Sequence, residues 1–266
     1  MNFTDKFYFT DEKDVTVFKS ENITSAHAFS TRHGGVSTEN PFKSLNLSYG
    51  RGDPDENVDK NLDIFTGLFG KDRSRLVWSG QIHSTSVLKV KEEHSGKVFD
   101  CYDGFVTDKK GIILSVSVAD CTPILLEDRH SGVIGALHAG WRGTVGGIAA
   151  VGVSAMTELG AKAEDICVAI GACIHDCCYE VKEDFYSSVA SIKGREFADR
   201  HIKKDVFGIM HANIVSMNCE ILIESGVLPE NISVCTRCTC CESDLFFSHR
   251  ASKGVRGGMK AAIMLD

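Results

Sequence analysis

The sequence predicts alternating strands and helices assembled on a mixed β-sheet. Three observations carry that expectation. Short runs rich in Val, Ile, Leu and Phe are bounded by Gly, Asp, Asn and Ser, the pattern of strands. Other segments place apolar residues three and four apart, the period of an amphipathic helix. Some successive strands are joined by turns and others by helical segments, so antiparallel and parallel neighbours are both expected. At 266 residues and 29.0 kDa the chain suits one large domain or two small ones and needs no staples to bury a core. No internal repeat, low-complexity tract or linker divides it.

Residues 15–18 and 23–29 read as strands, and Thr31-Arg32-His33-Gly34-Gly35 as a turn carrying a cation. Residues 55–70 read as an amphipathic helix: Val58, Leu62, Phe65 and Phe69 line one face and Gly70 stops it. Strands follow at 86–90, 104–107, 112–119, 122–126 and 133–137. Residues 144–159 read as a helix with Thr144 as N-cap and Gly160 as stop. A buried strand is expected at 166–170, and helices at 183–191 and 206–225. Closing strands are expected at 232–235, 245–248 and 261–265.

Lys plus Arg is 29 and Asp plus Glu is 36, a net charge of −7 that argues against a nucleic-acid-binding module. Hydrophobic residues at 43% and charged residues at 24% are close to the globular average, which argues against disorder. The start of the chain, Met1-Asn2-Phe3-Thr4-Asp5-Lys6, lacks the basic and apolar regions of a signal peptide. The longest apolar stretches, such as 111–119, are far short of a membrane span. A soluble, cytoplasmic protein without membrane association is expected. The eleven cysteines are odd in number and cannot all pair within one chain. Reduced thiols, some of them metal ligands, are the expected reading.

Three residues of metal-binding type fall at strand ends. His83 lies in Gln81-Ile82-His83-Ser84 and Cys121 in Ala119-Asp120-Cys121-Thr122-Pro123. His138 opens His138-Ala139-Gly140-Trp141-Arg142-Gly143. If neighbouring strands carry Cys121 and His138, their tips converge, and His83 must arrive from a third segment. Thiolate and imidazole are preferred zinc ligands, and three of them leave a fourth position for water or substrate. The three are far apart in sequence, unlike a local CxxC pair. Spacing alone therefore also admits two hydrogen-bonded histidines and a small buried thiol.

The glycine-rich turn from Gly140 to Gly147 runs from a strand end into a helix start, where free N–H groups favour an anion. Arg142 can add a bidentate bond to phosphate or carboxylate. No Gly-Lys-Ser/Thr sequence follows, so this is not a Walker loop, and close packing on the sheet explains the glycines equally well. Asp103 and Asp120 flank the Cys121 region as acid/base candidates, or as turn and cap residues. Cys235, Cys238, Cys240 and Cys241 look like a metal knuckle without a second ligand pair at the usual spacing. Cys173, Cys177 and Cys178 lie in a loop after a strand, where a reactive thiol can sit. Ser248-His249-Arg250 puts another Arg at a strand terminus.

Several motifs occur in a shared order. They are Arg32-His33-Gly34-Gly35-Val36-Ser37, Ser44-Leu45-Asn46-Leu47, Gln81-Ile82-His83 and Asp103-Gly104-Phe105-Val106-Thr107. The Cys121 and His138 motifs follow, then Cys178-Tyr179-Glu180-Val181 and Phe246-Phe247-Ser248-His249-Arg250. In this the chain resembles the YfiH-like family, often labelled multicopper polyphenol oxidase or laccase-domain proteins. Members are also described as purine nucleoside phosphorylases with adenosine deaminase activity. The resemblance runs from about Phe29 to the C-terminus. It implies an α+β fold with mixed β-sheets layered against helices, a single YfiH-like sandwich domain over residues 1–266. It implies zinc at His83, Cys121 and His138, with Cys121, His138 and Asp103 in catalysis. Arg32, Asn46, Arg142 and Arg250 match polar positions for substrate and phosphate. The chain departs from the pattern at Ala172, His175 and Ala251, where Pro, Gly and a second Arg are usual.

The implied chemistry is phosphorolysis of adenosine, inosine, guanosine or methylthioadenosine to free base and ribose 1-phosphate, with deamination of adenosine. The partners are then a purine nucleoside and phosphate; the sequence says nothing of oligomeric state. Copper is the less favoured metal. A laccase needs a trinuclear copper cluster fed largely by His pairs, and ten histidines here form no His-x-His pair. A Cys–His hydrolase with Cys121 as nucleophile is a further alternative, excluded if the thiolate is coordinated. A zinc-stabilised interaction protein is the non-enzymatic one.

Overall fold

In the computed structural model, which describes residues 4–266, the chain opens with a hairpin of β1 (Phe7–Glu12) and β2 (Val15–Ser20). Lys13 and Asp14 both take positive φ, the two-residue geometry that matches the twist of antiparallel strands. β1 escapes the sequence reading because it is an edge strand with largely exposed side chains. Next come β3 (Ala26–Ser30), α1 (Asp55–Gly67), β4 (Leu76–Gly80), β5 (Val87–Lys89) and β6 (Val98–Asp100). They are followed by β7 (Gly104–Thr107), β8 (Ile113–Val118), β9 (Thr122–Asp128) and β10 (Val133–Ala139). Two helices, α2 (Trp141–Gly146) and α3 (Ile148–Thr157), lead to β11 (Cys167–Ile170) and β12 (Glu180–Val181). The remainder is α4 (Glu183–Lys193), α5 (Arg195–His201), β13 (Ile202–Lys204), β14 (Met210–Ala212), α6 (Ile214–Glu224), β15 (Ile232–Val234) and β16 (Met259–Met264).

A seven-stranded sheet has the order β1-β2-β3-β16-β8-β4-β6, and a six-stranded sheet the order β15-β11-β9-β10-β7-β5. Both are mixed: β4 runs parallel to β6 and β8, and β11 to β15, while most other pairs are antiparallel. A small third sheet has the order β12-β14-β13. Period-2 alternation gives each large sheet two apolar faces. Phe105, Leu125, Ile134 and Ala136 of one sheet meet Val77, Leu114, Val116 and Ile263 of the other in a shared core. The opposite face of the six-stranded sheet, including Ile124, Leu126, Val133 and Leu137, packs on α3, α4, α5 and α6. The outer face of the seven-stranded sheet, with Val15, Val17, Leu76 and Ile113, packs on Val58, Leu62 and Phe65 of α1. The result is the expected α+β layering: helix, sheet, sheet, helices.

Three expectations need correction. The helix expected from residue 144 starts at Trp141 and is broken at Gly147, whose φ of 92° is left-handed. Thr144 is therefore inside the first segment, donating to the Ala139 carbonyl at 3.3 Å, and is not its N-cap. The expected helix over 206–225 is helical only as α6; Asn213 caps it by accepting from Ser216 N at 2.8 Å. The preceding residues turn at Asp205, whose carboxylate accepts from the N–H groups of Phe207 and Ile209, and then form β14. Residues 245–248 are irregular chain following a turn and not a strand, with Phe246 and Phe247 still buried in the core between the sheets.

Candidate active site

The ends of three adjacent strands set the site. Antiparallel pairing places His138 of β10 opposite Pro123 of β9, and Leu137 opposite Gly104 of β7. Cys121 just before β9 and Asp103 just before β7 therefore flank His138 on its two sides. His83 arrives on the loop between β4 and β5, held there because β5 pairs with β7. The side-chain donor atoms of His83, Cys121 and His138 lie within 4.8 Å of one another. His83 Nε2 is 3.6 Å from Cys121 Sγ. A tetrahedral zinc with ordinary bond lengths would separate such an N and S by about 3.6 Å.

Asp103 organises the other two segments. It is fully buried. One carboxylate oxygen accepts from His138 Nδ1 at 2.8 Å and from His83 N at 2.9 Å. The other accepts from Ser84 N and Ser84 Oγ, both at 2.7 Å, and from Ile82 N at 3.2 Å. The three consecutive N–H groups wrap the carboxylate and hold His83 at φ 62°, a conformation that costs a residue with a Cβ about 1–3 kcal/mol. Engaging Nδ1 leaves Nε2 of His138 free for a ligand, the arrangement found behind metal-bound histidines. Gly140 completes the fit: a Cβ there would lie 2.4 Å from His83 Cδ2.

Burial opposes ionisation of Cys121, but His138 and His83 outweigh it and bring the thiol down to about 6. Burial also opposes charge on His138; Cys121 and Asp103 reverse that and lift it to about 9. For Asp103 burial is again the largest influence, overcome by the bonds from His138 and Ser84, which hold the carboxyl well below the usual range. Without a metal the trio is thus poised as thiolate, imidazolium and carboxylate, and an ion bound at Nε2 would take the place of the His138 proton. The donor set and the second bond on His138 fit a zinc ion.

Two adjoining cavities, about 390 and 280 Å3, share His83 and Cys121 in their walls. Apolar side chains of Ala139, Trp141, Ile174, Tyr179 and Ile214 line the larger one. Arg51, Arg142, Arg250 and Arg256 enter the same cavity. Arg142 stacks on the Trp141 ring at 4.3 Å. Arg250 donates to the carbonyls of Cys178 at 2.8 Å and Glu180 at 3.3 Å, and its N–H is held by Asp120 at 2.7 Å. Arg256 Nε is buried with no hydrogen-bond partner. Burial of the Tyr179 ring pushes its hydroxyl up to about 12.

His83, Cys121, His138, Asp103, Arg142 and Arg250 are brought together as the sequence reading expects. Arg32 and Asn46 are elsewhere. Arg32 ties two loops by donating to the carbonyls of Lys43 at 3.0 Å and Ser243 at 2.8 Å, with its guanidinium over Phe247. Asn46 is buried and accepts from Gly258 N at 2.9 Å, bracing the segment after Arg256. Asp103 lines neither cavity and spends its lone pairs on five donors, which suits a positioning group better than a proton shuttle. Arg51, Arg256 and Tyr179 escape the sequence reading as site residues. Tyr179 lies inside one of the shared motifs, Arg256 precedes two packed glycines, and Arg51 stands between Gly50 and Gly52, both at positive φ.

Fold and site together define a layered α+β protein with a candidate two-histidine, one-cysteine centre under an arginine-ringed cavity. The chain belongs to the family described as multi-copper polyphenol oxidoreductase laccase, which matches residues 26–266. The purine nucleoside phosphorylase YlmD of Bacillus subtilis (strain 168) is 33% identical over 243 residues, covering 88% of this chain and 86% of that protein. The adenosine deaminase RL5, from an unknown prokaryotic organism, is 33% identical over 241 residues, covering 87% and 90%. The crystal structure of the hypothetical protein YfiH of Bacillus licheniformis has a TM-score of 0.89 at 29% identity, covering 97% of this chain and 99% of that one. The names of the relatives support an enzyme. Among the described residues no helix is long and apolar enough to cross a membrane.

Proposed function

We propose that this chain is a zinc-dependent purine nucleoside phosphorylase that also deaminates adenosine, working at His83, Cys121 and His138. The observation that carries the reading is the position of this three-ligand set at a cavity whose lining combines apolar and aromatic side chains with four arginines. Nucleosides are the named substrates of the relatives, and a lining that mixes aromatic, apolar and cationic side chains suits a purine nucleoside with phosphate. A zinc ion held by the three residues would supply Lewis-acid polarisation of a substrate oxygen or a water.

The rest is the work of the chain's own residues. Trp141 and Tyr179, each with an arginine over its ring, line the part of the cavity that would take the base. Arg142, Arg250, Arg51 and Arg256 hold phosphate by charge-assisted bonds and offset its charge as it approaches ribose C1′. In phosphorolysis the bond from phosphate oxygen to C1′ forms as the bond to the purine nitrogen breaks. The electron pair leaves with the base, which takes up a proton. Asp103 keeps the His138 ring in one tautomer and one orientation throughout.

Copper oxidation is the weaker reading. Among the described residues, two groups place three or more potential ligand atoms together, and neither contains more than two histidines. Cys–His hydrolysis shares the lowered Cys121 thiol, yet a coordinated thiolate is not free to attack. Product analysis of zinc-loaded protein with adenosine, with and without phosphate, tests the proposal. Adenine with ribose 1-phosphate, formed only with phosphate, is the expected result, and inosine marks deamination. Neither product above a Cys121→Ala control would end the nucleoside reading.

A further inference from the structure

We propose that Cys177, Cys178, Cys238 and Cys241 form a second metal site, a tetrathiolate centre that takes zinc and staples the outer wall of the cavity. The sulfur atoms of these four residues lie within 4.8 Å of one another. Three of the separations are 3.9 Å for Cys177 to Cys178, 3.6 Å for Cys177 to Cys241 and 3.3 Å for Cys178 to Cys241. Four thiolates around one zinc at ordinary Zn–S lengths stand about 3.8 Å apart. Three of the sulfurs therefore already stand near the separations that the corners of such a tetrahedron require, and Cys238 Sγ lies within 4.8 Å of them as the fourth. A disulfide would need one pair at about 2.05 Å and would leave the other two sulfurs without a role.

Cys238-Thr239-Cys240-Cys241 supplies the short ligand spacing of a zinc knuckle, and the missing second pair is Cys177 and Cys178, some sixty residues earlier. The knuckle has the expected backbone support. His175 N donates to Cys238 Sγ at 3.4 Å. Such N–H···S bonds stabilise a thiolate by hydrogen-bonding to the charged form. Two further contacts fix the loops around the cluster: Thr239 N donates to Cys173 O at 2.9 Å, and Cys178 N to His175 O at 2.9 Å. Cys177 and Cys241 are exposed, so an ion can enter from solvent without unfolding the site.

Soft thiolates select zinc or another soft ion over calcium or magnesium. The centre would join the loop carrying Ile174 and Tyr179 to the segment carrying His249 and Arg250, all of which line the larger cavity. Arg250 already reaches across, donating to the Cys178 carbonyl at 2.8 Å. Holding this wall in place is a structural role, in keeping with four ligands and no open position.

The test is metal analysis of full-length protein, expressed with zinc and kept reduced, in three forms: wild type, Cys121→Ala, and Cys238→Ser with Cys241→Ser. The double variant should hold one zinc equivalent fewer than wild type, and Cys121→Ala should retain one. Loaded with Co2+, Cys121→Ala should show the intense visible bands and sulfur-to-cobalt charge transfer of four thiolates. Metal-free Cys121→Ala with no tetrathiolate spectrum would overturn the proposal. So would a Cys178–Cys241 disulfide in wild type that, once reduced, leaves zinc content unchanged. If the double variant fails to fold, the Cys121→Ala form decides alone. The outcome is independent of nucleoside turnover, because it reads metal and not activity.

Discussion

Asp103→Asn replaces a carboxylate whose every neighbour donates. The N–H groups of Ile82, His83 and Ser84, the Ser84 hydroxyl and His138 Nδ1 all point at it. An amide keeps one acceptor oxygen but brings two donors into a ring of donors. The readiest relief is for His138 to move its proton from Nδ1 to Nε2 and accept from the amide. That tautomer presents N–H where a metal needs a lone pair. Changes behind a ligating histidine cost about 10–100-fold in metal affinity or activity, or about 1.4–2.7 kcal/mol. A buried donor left without a partner adds roughly 1–3 kcal/mol of lost stability. Competition against a chromophoric chelator reads the first effect, and urea unfolding of metal-free protein reads the second. Metal affinity and turnover both within twofold of wild type would refute the positioning role.

Three further outcomes follow from the packing. Gly140→Ala drives a Cβ into the His83 ring, 2.4 Å from Cδ2, so turnover should fall by about 100-fold while the far-UV spectrum holds; unchanged turnover would show that the ring can move aside at no cost. Phe105→Ala opens a void in the core between the sheets, where Phe105 is fully buried, and should lower unfolding free energy by about 3–5 kcal/mol in urea; a loss below about 1 kcal/mol would show that the sheets close over the gap. Burial brings Lys260 down from 10.5 to about 7. Between those values the unfolded chain binds more protons than the folded one, so stability should rise with pH by up to about 1.4 kcal/mol per unit. The penalty is fully present below about pH 7 and relieved toward pH 10. Lys260→Met should flatten that slope in denaturant titrations at pH 6.5, 7.5 and 8.5 (approximate settings), and an identical slope in both proteins would count against the argument.

Much of the layered fold is legible in the chain itself. The three-and-four spacing of Val58, Leu62 and Phe65 marks α1, and the strands from β7 to β10 show as apolar runs between turn residues. Burial on one helical face or on both faces of a sheet leaves a period in the sequence, and that period survives without tertiary context. The metal-type residues are equally visible, since His83, Cys121 and His138 sit where strands end. Short edge strands such as β6 and β12 bury too little to leave a pattern, and residues 206–213 are apolar without being helical because Asp205 turns the chain there.

The order of residues sets which side-chain types stand at the strand ends and which faces are apolar. What those side chains meet depends on how the strands and loops pack. The antiparallel register of β7, β9 and β10 brings Asp103, Cys121 and His138 to one point, and the same register turns Asp103 away from the cavity and toward the backbone of the His83 loop. Arg32 and Arg256 look alike as sequence, each a cation near glycines. One is spent on backbone carbonyls and the other enters the cavity, because loop paths aim long side chains and loop paths carry no periodic signal. The four clustered cysteines are the extreme case. Their two pairs come from distant loops, and the contact between those loops places the sulfurs together, which spacing within either pair could not reveal.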